Sequence, residues 1–207
     1  MEFIITDIDE CVLSYHDSFE RWIRNNPSII TRMGIYFPKE TEHLSLKHCI
    51  ENWLECSTSQ ASILIEIFSS TDEFRNLPPS WESDIYIPKL YDLGYKFIAI
   101  TSAGKSQSVR ESRMINLERY FPNMFIACHC IDWTVEKKEY LSLYRPTWWV
   151  EDRIPNALMG KELGFKTFLV DNPHNQDNLP CGIKRVKSWK EIYQCITEPS
   201  CVLGWMC

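Results

Sequence analysis

The sequence predicts an α/β protein, a Rossmann-like doubly wound parallel sheet with an α-helical cap inserted after the first strand. Two observations carry this. From residue 96 onward, short apolar runs alternate with helical stretches, the rhythm of right-handed crossovers between parallel strands. Before that, Asp7 and Thr101 stand 94 positions apart, where a plain strand–helix–strand unit takes about 30 residues or a little more. The surplus is helix-rich and leaves directly after the first strand.

In order, residues 2–6 (EFIIT) read as a short buried strand and Asp7 to Cys11 as a polar turn. Ser14 to Asn26 carries Phe19, Trp22 and Ile23 on one helical face, and Asn26-Pro27 stops it. Residues 43–56, with Ile50, Trp53 and Leu54, and residues 59–68 (SQASILIEIF) give two more helices; 75–81 (RNLPPSW) is loop. Residues 82–94 form a helix with Ile85, Leu90 and Leu93, closed by Gly94. Strands are then expected at 96–101, 124–131, 147–151, 166–170 and 183–187, with helices at 105–120, 134–144, 155–163 and 189–197. The expected division is a core of residues 1–13 and 84–207 and a cap of residues 14–83.

Composition narrows the function classes. The 207 residues are 44% hydrophobic with a net charge of −6, ordinary for a globular chain and unsuited to disorder. That charge gives no global field for nucleic acid or anionic lipid, and no apolar run reaches the ~20 residues of a membrane span. MEFIITDIDE lacks the basic start of a secretory leader, so the odd count of nine Cys is expected in a reduced, cytoplasmic chain. Cys128-His129-Cys130 has the wrong spacing for a zinc knuckle and lies in the apolar run MFIACHCI, which favours a buried strand.

The strand ends carry the chemistry. In a parallel sheet, Asp7-Ile8-Asp9, Thr101-Ser102, Glu136-Lys137-Lys138 and Glu151-Asp152 converge in one crevice at the C-terminal edge. Carboxylates so crowded cannot all stay ionised unless a cation shares them. Oxygen donors with water access suit Mg²⁺. Thr and Lys beside them suit the oxygens of a phosphoryl group. One carboxylate can attack phosphorus and form an aspartyl phosphate, and a second can protonate the leaving oxygen.

FIITDIDECVL resembles the first motif of the haloacid dehalogenase superfamily, FIAITS its second, the lysines at 137 and 138 its third, and WWVEDRIPNA its fourth; all four stand in the right order. The long interval after the first motif resembles the helical-cap phosphatases and nucleotidases of that superfamily. The resemblance implies Asp7 as nucleophile and metal ligand. It implies Asp9 as general acid and base, with its backbone carbonyl on the metal. Thr101 and Ser102 would bind phosphate, with Lys137 ahead of Lys138, and Asp152 would be the remaining metal ligand with Glu151 beside it. The chain departs from the pattern at Glu10 (Gly is usual), Cys11 (Thr or Val), Glu151 (Asp) and Asn156 (Asp in some branches), which puts metal geometry in question.

The expectation is therefore a Mg²⁺-dependent phosphomonoester hydrolase acting on a small phosphorylated metabolite such as a nucleoside monophosphate. The nucleotide choice rests on aromatic residues of the insert, Tyr15, Phe19, Trp22, Tyr36, Phe37 and Trp53, offered as stacking walls, and on likeness of the strand-end pattern around Val150 and Val170 to nucleotidases. His16, and Asn172-Pro173-His174-Asn175, are candidate rim residues. Lys105 and Arg110 form an anion site or a solvated face. A polynucleotide end phosphatase, which needs a basic groove, and a binding protein that keeps the fold are the other readings. A dehalogenase needs no Mg²⁺ and usually lacks the second acid, so Asp9 speaks against it.

Overall fold

The computed structural model describes residues 2–37, 48–104 and 106–198. Six parallel strands form one sheet: β1 (Glu2–Thr6), β2 (Tyr95–Thr101), β3 (Phe125–Cys130), β4 (Trp148–Glu151), β5 (Lys166–Val170) and β6 (Ile183–Val186). Their spatial order is β3-β2-β1-β4-β5-β6. The chain runs outward from β1 to β2 and β3, then returns to the other side of β1 at β4. The crevice of such a sheet opens at this reversal, beyond the C-terminal ends of β1 and β4.

Neighbouring apolar residues on each strand serve opposite faces, as strand geometry requires. Ile4, Phe97, Trp148 and Phe168 pack into one core with helices α5 (Ser83–Asp92), α6 (Gln107–Tyr120) and α9 (Trp189–Thr197). Ile5, Ile98 and Trp149 pack into the other beneath α7 (Lys137–Leu141). Helix α8 (Ile154–Glu162) approaches Trp149 so closely that a Cβ on Gly160 would lie 2.3 Å from the indole Cδ1.

The segment between β1 and α5 holds α1 (His16–Asn25), α2 (Pro27–Arg32), α3 (Ile50–Trp53), α4 (Thr58–Ser69) and a 3-10 turn at Phe74–Asn76. Its ends are stitched together: Ser14 N donates to Pro78 O at 2.9 Å and Ser80 N to Val12 O at 2.9 Å. Helix α4 starts with a reciprocal cap, in which Ser57 accepts from the Gln60 amide and Gln60 reaches back to the Ser57 amide.

Several local expectations need correction. Asn26-Pro27 ends α1, but Pro27 also opens α2, because a proline lacks only a donor that the first helical turn leaves unused. The helix expected at 134–144 is confined to Lys137–Leu141. The helix expected over 43–56 is four residues long among the described residues, and 43–47 lie outside them. On α5 the buried apolar residues are Ile87 and Leu90, while Ile85 and Leu93 are exposed. Strand β3 is an edge strand, so its Cys128 and His129 are only half-buried. Cys11, Cys49, Cys56, Cys128, Cys130 and Cys195 are free thiols. Cys181 is disulfide-bonded, which departs from the wholly reduced chain expected. Among the described residues no helix is long and apolar enough to cross a membrane.

Candidate active site

Strand β1 ends at Thr6, and Asp7 N still pairs with Val150 O of β4 at 2.9 Å. Asp7 thus stands at the junction of β1 and β4, on the topological reversal. The chain then coils: Val12 N and Leu13 N both donate to Ile8 O, at 2.8 and 2.9 Å. The coil needs a left-handed residue, and Glu10 supplies it at φ 56°. That is a physical reason for glycine to be usual there. Trp81 Nε1 fixes the Glu10 carbonyl and Trp189 Nε1 the Cys11 carbonyl, each at 2.8 Å.

Lys137, the first residue of α7, is buried and bridges two acids. Its Nζ lies 2.6 Å from Asp7 Oδ2 and 2.9 Å from Glu151 Oε2. Lys138 is exposed on the same helix, as is Ser102 past the end of β2. The other oxygen of Glu151 accepts from Asn156 Nδ2 at 3.0 Å and from Arg153 N at 3.3 Å. Both oxygens of Glu151 are therefore occupied by the chain itself.

Asp152 is held from the β5 end. His174 Nε2 lies 3.1 Å from Asp152 Oδ2, and Asn175 Nδ2 donates to Asp152 O at 2.6 Å. The expected rim segment at 172–175 thus reaches the site. His48 stacks on His174 with ring centroids 4.7 Å apart, and His16 meets His174 edge-on at 6.2 Å. His16 N in turn donates to Glu10 Oε1 at 2.7 Å. Three imidazoles line this side.

Thr101, the last residue of β2, is buried, and its Oγ1 has no hydrogen-bond partner among the described residues. A buried hydroxyl without a partner is uncommon in a folded chain. Asp9 is met by a residue that sequence reading did not single out: Arg113 Nη2 of α6 lies 2.5 Å from Asp9 Oδ2. Arg113 belongs to a buried stripe with Val109, Ser112, Asn116 and Leu117, a helical spacing visible in the sequence. Arg110 is exposed, as a solvated face requires, and Lys105 lies outside the described residues.

Electrostatics follows from burial. Burial pushes the Asp7 carboxyl up, against the pull of Lys137. It pushes Glu151 up to about 8. Burial also lifts Asp9, to about 6, with Arg113 drawing it down and Asp7 raising it. Asp152 is the exception: burial raises it, but the hydrogen bond and charge of His174, together with Lys137 and His16, bring it below the usual carboxylate value. Asp7, Glu151 and Asp152 bring ligand oxygens within 4.8 Å of one another. Among these groups Lys137 is the one cation, facing three carboxylates. A divalent cation fits this excess, and the three carboxylates are the groups that could hold it.

No family model matches the chain, and no curated protein matches it. Solved structures do. A haloacid dehalogenase-like hydrolase from Streptococcus pneumoniae superposes with TM-score 0.63 at 13% identity, over 95% of this chain and 99% of that one. CbbY from Rhodobacter sphaeroides in complex with phosphate gives 0.60 at 13%, over 93% and 96%. The L-2-haloacid dehalogenase from Xanthobacter autotrophicus with chloropropionic acid covalently bound gives 0.59 at 9%, over 96% and 99%. The chain has the haloacid dehalogenase fold. At these identities the likeness establishes the fold, and the chemistry has to be argued from the site.

Proposed function

We propose that this protein is a Mg²⁺-dependent hydrolase of phosphate monoesters that works through an aspartyl phosphate on Asp7. One observation supports this most: a buried acid cluster held by Lys137 stands at the end of β1, and the neighbouring strand β2 ends on a buried hydroxyl, Thr101 Oγ1, with nothing to bond among the described residues. Acids, an ammonium and an idle hydroxyl at neighbouring strand ends suit a phosphoryl group and its cation.

Asp7 attacks phosphorus while Thr101 and Lys137 hold the non-bridging oxygens. Asp9 gives its proton to the leaving alcohol, then takes one from the water that frees Asp7. A proton affinity near 6 equips Asp9 for both transfers close to neutrality. Bound between Asp7 and Asp152, Mg²⁺ would neutralise charge on the transferred group. Glu151 is assigned to orienting Lys137, which meets its Oε2 at 2.9 Å while Asn156 fixes its other oxygen.

The substrate is read as a small phosphorylated metabolite. Support for a nucleoside monophosphate is weaker than the sequence implied. Phe19, Trp22 and Trp53 are buried and pack on one another, and Tyr15 stacks on Phe19, so these rings form the core of the insert. Tyr36 is 88% exposed. The rings at the site are His16, His48 and His174. The test is phosphate release from nucleoside monophosphates, sugar phosphates, glycerol phosphates and p-nitrophenyl phosphate, with and without Mg²⁺; a 2-haloacid serves as the dehalogenase control. Turnover of phosphate esters only with Mg²⁺ supports the proposal. Turnover of the haloacid alone refutes it.

A further inference from the structure

Arg113 is 0% exposed and sits in the middle of α6, where a charged side chain is expensive to bury. Its Nη2 lies 2.5 Å from Asp9 Oδ2, while its Nε and Nη1 have no partner among the described residues. The guanidinium lies over the Phe74 ring at 4.3 Å and 5.8 Å from the Tyr15 ring, so the segment between β1 and α5 closes it in. Asn116 of the same helix donates to Phe74 O at 2.9 Å and fixes that packing. Among the described residues, one carboxylate oxygen is thus the only hydrogen-bond acceptor this cation has. The other oxygen, Asp9 Oδ1, is buried and has no partner there.

We infer that Arg113 is a positioning residue: it clamps Asp9 by Oδ2 and so fixes the direction in which the carboxyl meets the reacting group. This rests on the assignment of Asp9 as acid and base. In the first step the Asp7–phosphorus bond forms as the ester bond breaks, and the proton on the Asp9 carboxyl passes to the leaving oxygen. In the second, water attacks phosphorus, its proton passes to the Asp9 carboxylate, and the Asp7–phosphorus bond breaks. An Asp9 free to rotate offers its proton in the wrong place much of the time. Geometry of this kind, rather than charge alone, sets the efficiency of proton transfer.

The test compares Arg113→Met and Arg113→Lys with wild type on two esters, p-nitrophenyl phosphate and the alkyl phosphate that wild type turns over fastest. An alkoxide leaves poorly without a proton, whereas p-nitrophenolate leaves without one. Misplacing Asp9 is expected to lower kcat/KM on the alkyl ester by about 100-fold, the lower end of what a general acid supplies. On p-nitrophenyl phosphate kcat/KM should fall by less than about tenfold, while kcat and KM fall together because hydrolysis of the aspartyl phosphate still needs Asp9. Arg113→Lys should recover part of the alkyl activity. A variant that lowers kcat/KM equally on both esters shows a merely structural role and overturns the inference. If Arg113→Met does not fold, the same inequality read on Arg113→Lys decides it. A wild-type protein that hydrolyses p-nitrophenyl phosphate but no alkyl phosphate overturns this inference alone; one that hydrolyses neither overturns the phosphatase proposal with it.

Discussion

His174 holds Asp152 at two points, with its Nε2 3.1 Å from the carboxylate Oδ2 and 3.1 Å from the backbone oxygen. A histidine behind a carboxylate fixes the direction in which that carboxylate meets a metal. Loss of such a partner costs about 10- to 100-fold in metal affinity. His174→Ala is therefore expected to weaken Mg²⁺ binding in that range, read by calorimetric titration. Asp152→Asn should abolish it. Glu151→Gln should bind within about threefold of wild type, since its oxygens serve Lys137, Asn156 and Arg153. A folded Glu151→Gln protein that binds no Mg²⁺ would place Glu151 among the ligands.

Lys137→Met leaves Asp7 and Glu151 facing each other without their shared cation. Breaking a buried pair from one side costs about 3–5 kcal/mol. Urea unfolding without Mg²⁺ should show a loss of that order, and phosphate release should fall for every ester. Lys138→Met, at an exposed position, should change neither. Equal effects of the two substitutions would contradict the assignment.

Phe19 is 1% exposed and packs on Tyr15, Trp22, Trp53 and Phe68. Phe19→Ala opens a cavity there, with an expected loss of about 3–5 kcal/mol. It should leave the ranking of substrates as it is. A stable Phe19→Ala protein with an altered ranking would restore this ring to the substrate wall.

Glu10 gives a pH dependence of stability with a definite sign. Burial pushes its carboxyl from an ordinary 4.5 up to about 8. Between those values the folded chain holds a proton that the unfolded chain has released, so stability falls as pH rises and levels off above the folded value. Glu10→Gln keeps an acceptor for His16 N and removes the titration. At pH 8.5 it should melt about 10 °C or more above wild type, and near pH 4.5 the two should coincide; each tenfold difference in proton affinity between the folded and unfolded chains is worth about 1.4 kcal/mol, and the rise from 4.5 to about 8 is more than three such steps. A melting difference that stays the same across that range would contradict the burial argument.

The parallel sheet was legible because its central strands are apolar runs closed by a polar pair, as at Ile4 to Asp7 and Trp148 to Asp152. The same strand ends displayed Asp7, Thr101, Glu151 and Asp152. Arg113 was hidden because α6 is polar along most of its length, and an arginine there reads as solvated. Only the stripe shared with Val109 and Leu117 marks it as internal. The aromatic residues of the insert misled for the opposite reason. Composition cannot tell rings that face a ligand from rings that face one another, and Phe19 and Trp53 do the latter.

The central claim is that Asp7 carries the phosphoryl group, and the most direct measurement is acid quench of a turnover mixture with ³²P-labelled substrate, followed by peptide mapping. The label is expected on the peptide that contains Asp7, labile to hydroxylamine, absent from Asp7→Asn and retained longer in Asp9→Asn. Turnover by Asp7→Asn at the wild-type rate, or label on another residue, would contradict it.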